Sequence, residues 1–345
     1  MRHFLTLVFA FLVPQSPNAF PALGIIDFYG LRSVTESQAL GVLPYHIGDT
    51  IRIEEFKSQK HAVEEKLTSI PGVVGASLTL VCCAHGGAAD GKSILYVGVE
   101  ETDSRCPQFA PAPAGDVTLT PDVINAGNQY DVVSESSILK GNFAEDDSQG
   151  HALDGDAAVR GIQLQFVRLA DLHLTNLKDV LHNSSDAHQR AIAAQVLGYV
   201  KDKQAIVPDL VAAMRDADSD VRNNASRALV VFAQYSPKPP AQKINIPPQP
   251  FIRMLKSCVW SDRNKSAAAL AQLSSTGDPA LLTKVREQAL PALLEMGEWK
   301  NLGHASYSLQ ILGRLAGLSE DAIQKELARG DRMAVIAAAR AAASH

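Results

Sequence analysis

The spacing of apolar positions changes character several times along the chain. Ile25 to Tyr29 is a short apolar run that ends at Gly30 and predicts a strand. Thr35 stands three residues before Gln38, with Val34 and Ala39 placed as a hydrophobic staple, so a capped helix starts there and runs to about Leu43. After the Gly48-Asp49 turn, Ile53, Phe56, Val63, Leu67 and Ile70 fall on one helical stripe, and Pro71-Gly72 ends it. Lys60 interrupts that stripe, where a long aliphatic stem can carry the charge outwards. From Ala76 the period is two: Ala76, Leu78, Leu80 and Cys82 share one face, with Ser77, Thr79, Val81 and Cys83 on the other. A Gly-rich loop, Gly86 to Gly91, then predicts a hairpin, and the return strand from Ile94 to Glu100 points Leu95, Val97 and Val99 at the core. The order is strand-helix-helix-strand-strand, an α+β module over 24–101.

Residues 102–156 form a connecting region. Its first part, 102–120, is rich in Pro, Ala and Thr and reads as a linker. Pro121 suits the first turn of a helix through Lys140, closed by Gly141, with Val123, Ile124, Tyr130, Val133 and Ile138 on one side. Glu145, Asp146, Asp147, His151, Asp154 and Asp156 follow in a loop that could offer oxygens to a hard cation; no calcium-loop spacing is matched, and Asp156 is placed to cap the next helix.

From 157 to 345 the period is helical throughout, and it repeats. Val159, Ile162, Phe166 and Leu169 line a leading helix. Two-helix units follow at Leu177–Val200 and Pro208–Ala233, offset by 32 residues when Arg190 is laid on Arg222. A third unit keeps register at an offset of 41, with Phe251 on Leu210 and Arg263 on Arg222; a fourth does so at 80, with Leu290 on Leu210 and Leu309 on Leu229. The stretch 236–250, with six prolines, is an insertion between units. Ser319–Leu327 and Asp331–Ala343 make a last, Ala-rich pair. One such pair cannot hide its own apolar stripes, so the units must stack into an all-α solenoid.

Two resemblances follow from these patterns. The array is similar to HEAT-like repeats of the kind also found in phycobilin lyases; that resemblance gives Asp216 and Arg222 a structural role, tying the turn of one repeat to the next. The 24–101 module resembles a POTRA domain through Gly30, the Gly48-Asp49 turn, Ile70-Pro71-Gly72-Val73 and Tyr96-Val97-Gly98-Val99-Glu100. That family, the periplasmic module of barrel-assembly and secretion proteins, binds extended peptides at a free sheet edge, which is strand addition. Here the module is followed by helical repeats and not by a barrel, so a barrel-assembly or translocation role is not expected.

Composition narrows the function. Hydrophobic residues make up 46% and charged ones 20%, with net charge −5, so a phosphate-tracking nucleic-acid surface is not expected. Arg2, His3 and the apolar run from Phe4 to Val13 read as an export signal over 1–22, with Ala19 or Ala22 near its end. No other segment is apolar enough to span a bilayer, and the chain is expected to be periplasmic or secreted. Four cysteines, Cys82, Cys83, Cys106 and Cys258, allow three full pairings; strand alternation sets Cys82 against pairing with Cys83, a link from either to Cys106 is conceivable, and buried free thiols are the default. No nucleophile elbow, zincin, Walker or dinucleotide fingerprint occurs, and no catalytic, metal or cofactor set is assigned.

The leading expectation is therefore a non-enzymatic protein-protein interaction scaffold of the bacterial cell envelope. It would dock protein partners on the sheet edge and on the concave face of the array. The second helices of stacked pairs line that face, which makes Asn223, Arg227 and Tyr307 the partner-contact candidates. The alternative is an enzyme, lyase-like or metal-dependent through the acidic loop.

Overall fold

The computed structural model describes residues 19–84, 89–104, 106–141, 144–235 and 244–343. The apolar run of the expected export signal lies outside these residues. The N-terminal strand β1 (Leu23–Tyr29) is followed by helices α1 (Glu36–Leu40) and α2 (Ile53–Leu67), then by strands β2 (Val73–Val81) and β3 (Ser93–Glu101). The sheet order is β1-β3-β2, with β1 parallel and β2 antiparallel to β3. The capping box forms as its residues dictate: the Gln38 main chain donates to Thr35 Oγ1 while the Gln38 side chain accepts from the Thr35 main chain.

Each face of this sheet has its own core. Ile26, Phe28, Leu78, Leu95, Val97 and Val99 pack with Phe56, Val63 and Leu67 of α2. The opposite face, carrying Tyr29, Ile94 and Tyr96, belongs to the core of the helical array. Nearly every residue of β3 is buried in consequence, as in a strand covered on both sides.

The array begins after α3 (Pro121–Leu139) and a two-residue hairpin, β4 (Glu145–Asp146) with β5 (Leu153–Asp154). Helix α4 (Ala157–Leu172) is capped by Asp156, whose carboxylate accepts from the main chains of Ala158 and Val159. Then come the pairs α5 (Leu174–Asn183) and α6 (Ala187–Leu197), α7 (Lys203–Ala213) and α8 (Ser219–Tyr235), and α9 (Gln249–Met254) and α10 (Trp260–Leu273). Helices α11 (Pro279–Gly297) with α12 (Leu302–Leu315), and α13 (Glu320–Arg329) with α14 (Arg332–Ala343), complete the series. The even-numbered helices α6 to α14 pack on one another in sequence and more closely than the odd-numbered ones, so the layer curves toward the even side.

Buried arginines stitch the repeats. Arg190 on α6 donates to both oxygens of Asp216 at 2.8 and 2.9 Å, Arg222 on α8 reaches Asp262 on α10 at 3.0 Å, and Arg263 on α10 binds Glu295 on α11. Ser257, which stands in the register position of Asp216, donates to Asp262 at 2.7 Å. The bidentate fork holds two helices at fixed spacing, and each charge is matched where water is excluded. Glu295 also accepts from the Gly30 main chain at 2.8 Å, so the last rung touches the N-terminal sheet.

That sheet is seated on the even side through both tryptophans of the chain. The Tyr96 ring stacks on Trp260 at 5.1 Å and tilts against Trp299 at 5.3 Å, while the Tyr96 hydroxyl bonds His304 Nδ1 at 2.7 Å. Tyr29 donates to the Cys258 carbonyl at 2.9 Å, under the Arg263 guanidinium. At the rim, the Lys300 main chain donates to Asp27 at 2.7 Å and its amine to the Ile26 carbonyl at 2.8 Å. Gly98 lets the two bodies close, because a Cβ there would lie 2.7 Å from the Tyr29 ring and strike the Cys258 carbonyl oxygen.

The cysteines pair differently from the expectation. Cys82 is linked to Cys83, its chain neighbour, and Cys106 to Cys258, 152 residues away. The alternation argument against the first pair does not apply, because β2 ends at Val81 and neither residue stands in a strand. Free thiols are absent, and the second bridge ties the connecting region to the α9–α10 turn. That region runs along the array: the Ala110 main chain donates to Arg215 O at 2.7 Å, Phe109 lies under the Arg222 guanidinium, and Gly115 pairs with Asn183.

Two outcomes test this seating. Gly98→Ala should cost about 1–3 kcal/mol in urea unfolding, the range for overpacking a closed interior; a cost within about 0.5 kcal/mol would show the sheet is not held at this distance. The second concerns pH. Burial lifts the Asp27 carboxyl to a pKa of about 6, against the Lys300 hydrogen bond that lowers it. The folded state then binds more protons than the unfolded one between about pH 4 and 6, so this group's contribution falls as pH rises through that window. Between pH 7 and pH 4.5 the wild type should gain on the order of 2 kcal/mol relative to Asp27→Asn, and parallel stability curves would contradict the burial.

Candidate functional site

Helix α8 presents Asp220, Asn223, Asn224 and Arg227 on one face, at the three-to-four spacing that keeps side chains together. Its opposite face is buried with Val221, Ala225, Ala228 and Leu229, so the polar set must point to the inner side. On α6 the matching residues are Ala191, Ile192 and Gln195, and on α10 the matching residue is Lys265. Helix α3 lies across this row. Gly127 allows the approach, since a Cβ there would lie 2.6 Å from the Ile192 side chain. Tyr130, Asp131, Ser134 and Ile138 then line the α3 wall, with Tyr130 against Phe166 at 5.5 Å. Cys82 closes one side from the sheet, and Glu145 and Asp154 of the β4–β5 hairpin close another.

The result is a cleft of about 440 Å³. Of the three partner-contact candidates, Asn223 and Arg227 line it, whereas Tyr307 stands on α12, outside its walls and packed against the array core. The concave face expected to receive partners is partly filled by the same geometry. The even side is occupied by the chain itself: β2 and β3 sit against α10, and α3 sits against α6. The physical reason is the second apolar face of the sheet, which has to be covered.

The charges in the cleft are arranged unequally. Arg227 is held by Glu145. Lys265 is half-buried, and among the described residues no carboxylate pairs with its amine. Burial, and then the neighbouring Arg227, pull its pKa down to about 8. Asp220 has no ion pair among the described residues, and Asp131 has only His188 at 4.0 Å. Both carboxylates open into the cleft but are surrounded by protein, which raises their pKa. The Asn224 amide is spent on the Ala191 carbonyl at 3.0 Å, which fixes α8 to α6 and sets the cleft floor.

The acidic loop uses its carboxylates within the fold. Asp146 accepts from Ser148 and pairs with Arg160 at 3.3 Å, and these hydrogen bonds, Ser148 first, draw its pKa down to about 2. Asp154 accepts from the Asp156 main chain at 2.7 Å, and Asp156 caps α4. A second, smaller cleft of about 320 Å³ holds His151, Tyr199, Lys203 and Tyr235; burial lowers the pKa of His151 to about 4 and lowers that of Lys203.

Lys265, Asp131 and Asp220 did not stand out in the sequence. One signal was there: at the repeat offset of 41, Lys265 falls on Asn224 of the inner face and stands at the head of the uncharged run Ser266–Leu273. Asp131 had no such signal, because nothing in its helix says that α3 will cross α6.

Residues 174–242, which take in α5 to α8, match the family model described as HEAT repeats. No curated protein matches the chain. The chain thus carries HEAT-like repeats in a helical array that follows a small N-terminal sheet.

Proposed function

We propose that the chain is a non-enzymatic protein-interaction scaffold, exported into the bacterial cell envelope, whose array holds a POTRA-like sheet with one edge open to a partner. HEAT repeats commonly mediate protein-protein interaction, which supports the class of function. The observation that carries the reading is the asymmetry of the sheet edges. On the β1 side, the Ile26 carbonyl is taken by Lys300, the Leu23 carbonyl by the Gly48 main chain, and the Leu23 N–H by the Asp49 carbonyl. On the β2 side, Glu64 takes the Leu78 N–H at 2.8 Å, and Ala76 and Leu80 stay half-exposed beside the exposed Val74. An edge of this kind is a template for one more strand.

Export is supported by the chemistry of the cysteines together with the N-terminal apolar run. Both pairs are bridged, and disulfides persist where the surroundings are oxidising. The 152-residue span of the Cys106–Cys258 bridge locks the connecting region onto the array, the work of a structural disulfide.

Ala76→Pro removes an outward N–H from the β2 edge while edge strands tolerate proline. Partner capture from an envelope extract should fall at least tenfold for Ala76→Pro, with the thermal melt of the full chain nearly unchanged. Equal capture by variant and wild type would remove the β2 edge as the docking surface.

A further inference from the structure

Among the described residues, the cleft between α3 and the α6–α8–α10 row has at one end a cation with no paired carboxylate and at the other Asp131 and Asp220, whose one ion-pair contact is His188 to Asp131 at 4.0 Å. Lys265 on α10 stands level with Asn224 on the adjacent α8, four residues or about 6 Å along the axis from Asp220, and packed helix axes lie about 8–10 Å apart, so Asp220 and Lys265 are about 10 Å apart. Asp131 joins Asp220 at the acidic end, and Lys265 lies beside Arg227 at the basic end. Arg227 is already held by Glu145, so the charge left to a ligand is the Lys265 amine. Between the ends, Asn223 and Gln195 offer amide groups, and Ile192, Ile138 and Tyr130 make apolar walls. The volume of about 440 Å³ is in the range of small-ligand sites.

A ligand that satisfies both ends must carry an amine and a carboxylate about 10 Å apart. An extended peptide advances roughly 3.3 Å per residue, so the span matches about three residues. We infer that this cleft binds a short zwitterionic peptide of about three residues, its free amino terminus toward Asp131 and Asp220 and its free carboxylate toward Lys265. The amide groups of Asn223 and Gln195 are placed for its backbone, and the apolar walls take small side chains. A single amino acid is too short to reach both ends. A peptide inside a longer chain lacks the two terminal charges, which separates this ligand from a strand added on the β2 edge.

The inference deepens the reading of the chain as a binding protein and rests on it. Loss of partner capture in Ala76→Pro with peptide binding intact would support both. Absence of peptide binding with edge-dependent capture intact would remove only this one.

The test is isothermal titration of the full, disulfide-bonded chain with four probes: Ala-Ala-Ala, its N-acetyl form, its C-terminal amide and free alanine. Ala-Ala-Ala should bind, and each blocked form should bind at least tenfold more weakly. Lys265→Met should abolish the difference between the free acid and the amide while keeping the penalty for N-acetylation. Asp220→Asn should do the converse. Thermal melts of both variants within a few degrees of wild type establish that folding is retained. No binding of Ala-Ala-Ala, equal binding of the blocked forms, or binding of free alanine as tight as the tripeptide would overturn the assignment.

Discussion

The structure depends on covering the second face of β3. Ile94 and Tyr96 on that face are as fully buried as Leu95 and Val97 on the other, and only helices α1 and α2 come with the module itself. Those two helices can shield one side. The remaining side finds Trp260 and Trp299 of the array, and aromatic packing of this kind removes much area from water at low conformational cost. Everything distinctive about the architecture follows from that contact. The sheet sits in the curve of the array, the connecting region is pulled along the repeat turns, and Cys106 comes within bonding reach of Cys258.

The array answers with its own rigidity. A solenoid stacks by nearest neighbours, so small changes of angle accumulate along it. The rungs Arg190–Asp216, Arg222–Asp262 and Arg263–Glu295 fix that angle where the sheet must fit, and Glu295 serves both the last rung and the Gly30 main chain. Buried charge pairs contribute less to net stability than their geometry suggests, because desolvation offsets much of the attraction. What they give is register. The acid that Arg222 takes is supplied from the following repeat by Asp262, which is why Ser257 can stand where the earlier repeat has Asp216.

The cleft is what remains where the fit is incomplete. Helix α3 crosses α6 at Gly127, and the space beyond it is bounded by side chains too polar to collapse together. Among the described residues Lys265 has no paired carboxylate although four share the cleft, because Glu145 is committed to Arg227, Asp154 accepts from the Asp156 main chain, and Asp131 and Asp220 stand at the opposite end. Separated charges of opposite sign, held apart by a rigid floor, are a recognition pattern rather than a stabilising one.

The local periods of the chain determined much of this. Period two over Ala76–Val81 and Ile94–Glu100, helical period elsewhere, the Thr35–Gln38 capping box, the Asp156 cap and the repeat offsets all depend on neighbours within a few residues or on internal register, and these survive in a linear reading. The sequence also placed Asn223 and Arg227 on the inner face, because helical phase is set locally. What only the tertiary structure decided is which inner face stays empty. An apolar run such as Ile94–Val99 says that both faces of a strand are buried, not against what, and the partner here lies more than 150 residues away. The pairing of Cys106 with Cys258, the seat of the sheet and the placing of Asp131 and Lys265 in one cleft are fixed by how two cores share one surface, and no spacing along the chain records that.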